Sequence, residues 1–326
     1  MINKTLAVIM SSAAIGITST SYASAEASDF PERPVRLISP TVPGGMADAI
    51  PRLYADKMSE ALGQPVIVEN RPGAATMVAT RYVADRPADG HTLLVAANTI
   101  VTMPHINENA GYEPEDFVGV GEMSRAPTLL VTSASSPIES LSDLVQQSKD
   151  NPGSITYASG GTGTTSHISV ELFSEDAGID LLHIPYSSRS LAIPDILSGR
   201  VDLTMMTSIE EQSLRDELRV LASTSDVRTE GYPDVPTFKE LGYSGGTYLI
   251  FLGIFAPSET PGEVVEALAA AVEYAKNDEG LRGRLDGMGQ EYSTTARSTL
   301  DFNDYLSKES ERYRVLVESV GIEYEE

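Results

Sequence analysis

The chain has 326 residues, 41% of them hydrophobic, and a formal net charge of −24. This length predicts two domains with a substantial core, and the negative charge argues against nucleic acid or an anionic membrane as a partner. The absence of cysteine excludes disulfides, thiolate metal sites, thiol catalysis and a lipid anchor attached to cysteine.

The N-terminus has the order of a secretory signal peptide. Lys4 is followed by apolar and small residues from Leu6 to Ile17, and then by Ala23-Ser24-Ala25. We expect cleavage after Ala25, so residues 1–25 are removed and the exported chain carries a net charge of −25 after the loss of Lys4. The apolar stretch is shorter than the roughly 20 residues that span a bilayer.

The first predicted strand, Val35–Ser39, runs into the turn Pro43-Gly44-Gly45 and then into a helix from about Ala47. A ligand can approach glycine N–H groups closely, and the helix adds unpaired N–H groups and the positive end of its dipole. This layout predicts an anion site made of backbone, although a tight connection without a ligand looks the same. Asp48 either interacts with the helix dipole or contacts a cationic part of a ligand. Pro51 is expected in the first helical turn, where its missing N–H costs little.

Strands and helices then alternate, which predicts parallel pairing. The next predicted elements are a strand at 65–69, a helix at about 76–86, and strands at 92–96, 118–123 and 128–132. Ligands on such sheets bind beyond the carboxyl ends of the strands. We therefore expect the Pro43–Gly45 turn, Ala74 and Asn98-Thr99 to lie close together.

A second Gly- and Thr-rich turn, Ser159–His167, has the same form as the first. It follows a predicted strand at 155–158 and opens a predicted helix at 165–177, so that His167 lies in the first helical turn. A single histidine there is more typical of capping or packing, but His167 is also near the predicted anion. Two such turns on different lobes are expected to hold one small anion between them.

The remaining pattern repeats the first half. It predicts helices at 141–148, 191–198, 262–276, 281–288 and 299–319, and strands at 181–185, 201–205, 218–223 and 249–256. The long apolar strand at 249–256 is suited to cross back into the first lobe. We expect a first lobe of residues 26–126 and 248–326, a second lobe of residues 127–247, and a ligand cleft between them.

Motifs for catalysis are weak. The four histidines lack a metal-binding spacing such as His-Glu-x-x-His. The Gly-x-Ser-x-Gly match at Gly242–Gly246 precedes a strand, whereas a nucleophile elbow joins a strand to a following helix. Ser166 and His167 are adjacent on a helix and point to different faces. We therefore expect no enzyme, no metal and no cofactor, and keep as the alternative a secreted hydrolase that uses Ser166, His167 or Ser244.

Eight stretches, in their order along the chain, resemble the Bug-type receptors of tripartite tricarboxylate transporters. They are Pro43–Asp48, Val68–Ala74, Ala88–Leu94, Gly160–His167, His183–Tyr186, Asp195–Asp202, Pro233–Thr237 and Phe255–Pro257. The resemblance implies an α/β, two-lobed fold of the periplasmic-binding-protein type II (Venus flytrap) class, with a mixed sheet in each lobe. It also implies a periplasmic receptor that binds a carboxylate through backbone amides and ordered waters and passes it to a membrane permease.

Carried onto this sequence, the resemblance implies ligand contacts in both lobes. In the first lobe they are Val42, Pro43, Gly44, Gly45, Met46, Asp48, Ala74, Ala75, Asn98 and Thr99. In the second lobe they are Gly161, Thr162, Gly163, Thr164, Thr165, His167, Tyr186, Ser187, Asp202 and Met206. The family commonly has Lys-Gly after the Pro-Tyr pair, where this chain has Ser187-Ser188-Arg189, and Trp where it has Phe251.

Arg189 is added to these contacts on chemical grounds. Its guanidinium either binds a second ligand carboxylate in bidentate fashion or faces solvent beside surface acids. Aromatic, aliphatic and amino-acid carboxylates remain open as ligands. So does a third function, a ligand-dependent sensor that acts on a membrane kinase. We expect a monomer whose lobes close by hinge motion near Ser124–Thr128 and Tyr243–Phe251.

Overall fold

The computed structural model describes residues 30–44, 46–186, 189–207, 214–228, 231–243, 246, 249–290 and 298–320. The predicted signal peptide, residues 1–25, lies outside these ranges. Within them, no helix combines the length and the apolar character that a bilayer crossing requires.

Strands and helices alternate along most of the chain. The strands are β1 (Val35–Ser39), β2 (Val66–Asn70), β3 (Thr92–Ala97), β4 (Phe117–Ser133), β5 (Thr156–Ser159), β6 (Leu182–Pro185), β7 (Leu203–Thr207), β8 (Leu218–Ser223) and β9 (Leu249–Pro257). The helices are α1 (Met46–Leu62), α2 (Met77–Ala84), α3 (Thr99–Ile106), α4 (Leu141–Asp150), α5 (Thr165–Ala177), α6 (Arg189–Leu197), α7 (Gly262–Lys276), α8 (Glu279–Gly287) and α9 (Thr299–Val320). Short 3-10 helices cover Ala74–Thr76 and Pro114–Asp116.

The strands form two mixed sheets that share β4. In the first sheet, β1 pairs in parallel with β2 and β3, and β9 runs antiparallel between β3 and the first part of β4. In the second sheet, the last part of β4 pairs antiparallel with β7 and β8, while β5 pairs in parallel with β6 and β7. β4 changes partners between Pro127 and Thr128. The lobe boundaries at 126/127 and 247/248 remain a prediction.

Apolar clusters cover both faces of the first sheet. Val35 and Leu37 of β1 pack with residues of α1 and α7, whereas Ile38 packs with residues of α3 and α9. Successive side chains of a strand point to opposite faces, so neighbouring residues of β1 enter different clusters. Burial on both faces explains why the central strands are almost continuously apolar.

Three details differ from the predictions. β4 is one continuous strand, because Ser124–Pro127, where a break was expected, pairs with residues 249–252 of β9. α3 was not predicted, since most of its residues are buried and it lacks the polar face that marks an amphipathic helix. α1 begins at Met46, so Pro51 lies inside the helix, beyond its first turn, and removes one backbone hydrogen bond.

Candidate anion-binding site

Asp48 fastens the first Gly turn to α1. Its carboxylate accepts hydrogen bonds from the Gly44 N–H at 3.0 Å, from Arg52 at 3.0 and 2.9 Å, and from Asn70 Nδ2 at 2.6 Å. The bond from Arg52, followed by those from Asn70 and Gly44, lowers the pKa of this buried carboxyl to about 2. The Asp48 carboxylate and the Gly44 N–H are thus paired within the protein. The ligand contacts of these two residues stay predictions.

The described residues at the tip of the first turn are exposed. Val42 is 65% exposed, and Pro43 and Gly44 are exposed beside it. Gly45 and the side chains of Met46 and Ala75 lie outside the described residues, although the Met46 backbone forms the start of α1. The turn is therefore open to a ligand at its tip and fixed at its base.

Sequence reasoning missed Thr76. Ala74 and Thr76 have positive φ angles of 44° and 82°. Such conformations are rare for residues with a Cβ, cost about 1–3 kcal/mol each, and cluster at functional sites. The Thr76 hydroxyl donates to Thr99 Oγ1 at 3.0 Å, which brings the loop after β2 to the first residue of α3. The residue type of Thr76 gives no signal of this geometry.

Asn98 and Thr99 have different environments. Asn98 is buried, its Nδ2 donates to the Leu249 carbonyl and its Oδ1 accepts from the Phe251 N–H, both at 3.1 Å. The Asn98 side chain therefore ties β3 to β9, and the ligand contact of Asn98 stays a prediction. Thr99 begins α3, where the first N–H groups have no intrahelical acceptor.

The second Gly turn requires glycine at two positions. Gly161 and Gly163 have φ angles of 117° and 76°, which residues with a Cβ rarely adopt. The N–H groups of Gly160, Gly161 and Gly163 donate within the turn, to Ser166 Oγ at 3.1 Å, Ser159 Oγ at 3.0 Å and His167 Nδ1 at 3.0 Å. Thr164 Oγ1 donates to the Gly161 carbonyl at 2.6 Å. The turn is thus closed by its own side chains.

The same contacts leave other N–H groups available. Those of Thr162, Thr165, Ser166 and His167 donate to none of the residues that the structure describes. They lie at the N-terminus of α5, where the helix dipole favours an anion. Ser166 Oγ and His167 Nδ1 each accept from a glycine N–H, so they form no nucleophile and base pair, and Ser244 lies outside the described residues.

The structure describes only some of the predicted ligand contacts that follow the second turn in the chain. Tyr186 lies beside the turn, because its N–H donates to the Ser159 carbonyl at 3.2 Å, and its hydroxyl donates to Asp195 at 2.7 Å. Ser187 and the side chain of Arg189 lie outside the described residues, and α6 begins at Arg189. Met206 is fully buried in the apolar cluster beneath α6.

Asp202 lies away from the second Gly turn, and its ligand contact stays a prediction. Its carboxylate accepts from the N–H and the hydroxyl of Thr156, at 2.8 and 2.7 Å. Thr156 is the first residue of β5, whereas the Gly turn follows the last, Ser159. Three residues of strand separate the two ends by about 10 Å. Asp202 therefore stabilises the opposite edge of the sheet.

The second turn packs against the first half of the chain. A Cβ on Gly163 would collide with Ile106 Cδ1, and Met103 Sδ would lie 3.5 Å away. Ile106 is the last residue of α3, about 10 Å along that helix from Thr99. The amide groups of α5 and the hydroxyl groups of Thr76 and Thr99 thus belong to adjoining elements. Among the described residues, no group of three His, Asp or Glu side chains could hold a metal ion.

Comparison with known proteins identifies the family. The profile of TctC, the tripartite tricarboxylate transporter family receptor, matches residues 50–322. This chain belongs to the TctC family. The match begins inside α1 and includes the whole of the second Gly turn.

Three solved structures are similar to this TctC chain. The periplasmic binding protein BugD has a TM-score of 0.75 and 29% identity, over 91% of this chain and 100% of BugD. Rpa4515 of R. palustris, solved with adipate, has a TM-score of 0.77 and 30% identity, over 91% and 100%. MatC of Rhodopseudomonas palustris, solved with malate, has a TM-score of 0.73 and 28% identity, over 88% and 100%.

These similarities confirm the resemblance found in the sequence and the two-lobed fold of a periplasmic binding protein. The TctC family and these structural neighbours are solute-binding receptors. This TctC chain is accordingly a receptor and not an enzyme, as expected from its motifs.

Proposed function

We propose that this TctC receptor captures a small organic carboxylate, most readily an aliphatic dicarboxylate, in the periplasm and delivers it to the permease of a tripartite transporter. One observation carries the proposal: the amide groups of Thr162 and of the first turn of α5 have no acceptor among the described residues. They lie at a helix N-terminus, which suits a carboxylate. The adipate and malate held by Rpa4515 and MatC support this ligand class.

Capture requires the lobes to close around the ligand. In our proposal the hinge lies where β4 changes partners, between Pro127 and Thr128, and where the chain returns through β9. The lobes are residues 26–126 with 248–326, and residues 127–247. The protein acts as a monomer, and residues 1–25 direct its export.

A thermal-shift screen of residues 26–326 tests the proposal. Adipate, malate, citrate, benzoate and glutamate are compared at equal concentration and ionic strength. A true ligand at about 100 times its dissociation constant stabilises the folded state by about 2.7 kcal/mol. The methyl ester of the best ligand, esterified at every carboxyl group, serves as the control, since it keeps the carbon skeleton and loses the anion. Equal shifts for acid and ester, or no shift with any acid, would contradict the proposal.

Arg189 is proposed to bind the distal carboxylate of a dicarboxylate. It begins α6, three residues after Tyr186, which lies beside the second turn. We expect Arg189→Ala to weaken adipate binding by about 1.5–3 kcal/mol, the range for hydrogen bonds to charged groups, with little effect on hexanoate. Isothermal titration calorimetry measures both ligands. Arg228→Ala, which removes an exposed ion pair with Glu240, is the matched control. Equal losses for adipate and hexanoate would contradict this role.

A further inference from the structure

The two Gly turns are fastened in the same way. In each, a glycine N–H donates at 3.0 Å to the side chain four residues later, Gly44 to Asp48 and Gly163 to His167. Both acceptors are the third residue of the following helix, α1 or α5. The two Gly turns therefore share a side chain, at the same position of the following helix, that closes the turn.

The two acceptors differ in charge. Asp48 is a carboxylate that pairs with Arg52 through both oxygens. His167 accepts through Nδ1, which requires a lone pair on that nitrogen, so the neutral ring carries its proton on Nε2. The second turn is thus held by an acceptor without charge.

Burial and stacking keep the His167 ring neutral. Its plane lies 10° from that of His183, with the ring centroids 4.0 Å apart, and Tyr157 stacks on His183 at 4.8 Å. Burial, and then repulsion from His183, lower the pKa of His167 to about 3, and burial lowers that of His183 to about 4. Two stacked rings of this kind resist protonation, because a charge on one repels a charge on the other.

One acidic side chain faces this cluster. Glu171 Oε1 lies 3.8 Å from His167 Nε2 and accepts a hydrogen bond from the Tyr157 hydroxyl. Burial, and to a lesser degree the charge of Asp180, raise the pKa of Glu171, although the bond from Tyr157 opposes this. The distance from His167 exceeds that of a hydrogen bond, so Glu171 does not hold a charged imidazole in place.

His183 supports the other end of the turn. Its Nε2 lies 2.7 Å from Ser159 Oγ, and that oxygen accepts from the Gly161 N–H at 3.0 Å. His167 fixes Gly163 directly, and His183 fixes Gly161 through Ser159. The two glycines with positive φ are therefore each connected to one ring of the same stack.

We propose that His167 and His183 are a neutral imidazole pair that positions the second Gly turn for an anion. Their rings position the turn and do not touch the ligand. A carboxylate at position 167 would repel the anion, and an imidazolium would lose its acceptor at Nδ1. With Gly161 and Gly163 fixed, the amide groups of Thr162 and of the first turn of α5 remain for the ligand. The inference rests on the proposed function for the nature of that anion.

Two substitutions at His167 separate the acceptor from the bulk of the ring. His167→Asn keeps an oxygen near the position of Nδ1, whereas His167→Leu has similar bulk and no acceptor. With adipate as the probe, we expect His167→Leu to weaken binding at least about tenfold, and His167→Asn to stay within about threefold of wild type. At His183, the variant His183→Gln keeps a hydrogen-bonding group for Ser159, whereas His183→Leu does not. We expect His183→Leu to weaken adipate binding and His183→Gln to stay close to wild type. After correction for the protonation of adipate itself, the affinities of wild type at pH 7 and pH 5 should agree, because both rings stay neutral.

Wild-type binding by His167→Leu, or a wild-type affinity that rises several-fold from pH 7 to pH 5, would overturn the proposal. The latter would indicate an imidazolium that contacts the ligand. Nitrogen-15 NMR of the wild-type chain gives a readout independent of ligand and of variant folding. We expect His167 as the Nε2–H tautomer, with a hydrogen-bonded Gly163 amide. An Nδ1–H tautomer would rule out the hydrogen bond from the Gly163 N–H to His167 and so overturn the inference. If the tautomer is as expected but no carboxylate binds, only the proposed function is overturned.

Discussion

Replacing Arg125 by methionine is expected to lower the free energy of unfolding by about 3–5 kcal/mol, because Glu122 would stay buried without its cation. The Glu122 side chain is 0% exposed and that of Arg125 is 9% exposed. Arg125 donates through Nε and through a second nitrogen, at 2.8 Å, to the two carboxylate oxygens, and its guanidinium lies 4.3 Å from the centre of the Tyr305 ring. The pair sits on β4 where its register with β9 shifts, just before the strand changes sheets.

Urea unfolding of Arg125→Met and of the double variant Glu122→Gln, Arg125→Met checks this expectation. The double variant should recover much of the loss, since it removes the buried charge as well as its partner. Arg314→Ala is the matched surface control, because its ion pairs with Glu311 and Glu318 are exposed and contribute little to stability. A loss for Arg125→Met as small as that of the surface control would contradict the prediction.

Stability is expected to depend on pH through His167 and His183. Their folded-state pKa values are about 3 and about 4, below the value of about 6.5 for an unfolded histidine. Below pH 6.5 the unfolded chain binds protons that the folded chain does not, so stability is complete above this pH and is lost progressively as the pH falls towards 4. For buried His167 the loss at pH 4.5 is about 2–3 kcal/mol.

The difference between wild type and His167→Asn isolates this effect. Glu171 acts in the opposite direction, because its raised pKa adds stability as the pH falls, and it is present in both chains. We expect the wild type to lose about 2–3 kcal/mol relative to His167→Asn between pH 7 and pH 4.5, measured by urea unfolding. Arg228→Ala should keep the wild-type pH dependence. An unchanged difference between wild type and His167→Asn at the two pH values would show that His167 is protonated when folded.

Elements with strong local signals were predictable from sequence. β1 and α5 have the predicted bounds. The apolar run of β1 ends before a Gly-containing turn, and the helical spacing of α5 begins after a Gly-rich turn. α3 gave no such signal, since it is short, contains Pro104 and is buried on most sides. β4 was predicted as two strands, at 118–123 and 128–132, yet the residues between them continue the ladder and Pro127 pairs with Leu249.

The candidate site was predictable to the level of its turns but not of its side chains. Asp48 and His167 were named in the sequence, but only the structure shows that they close their own turns. Asp202 was carried over from the family motif, although its place before β7 puts it at the amino end of that strand. Because ligands bind at the carboxyl ends of strands, this position alone argues against Asp202 as a ligand contact.

The position of β9 affects how the protein must be made. This strand lies between β3 and β4 in the first sheet, yet it comes more than 100 residues after both in the chain. During synthesis β3 and β4 therefore expose hydrogen-bonding edges until the C-terminal segment is complete. Contacts of such high sequence separation slow folding, and open edges during this interval favour association between nascent chains.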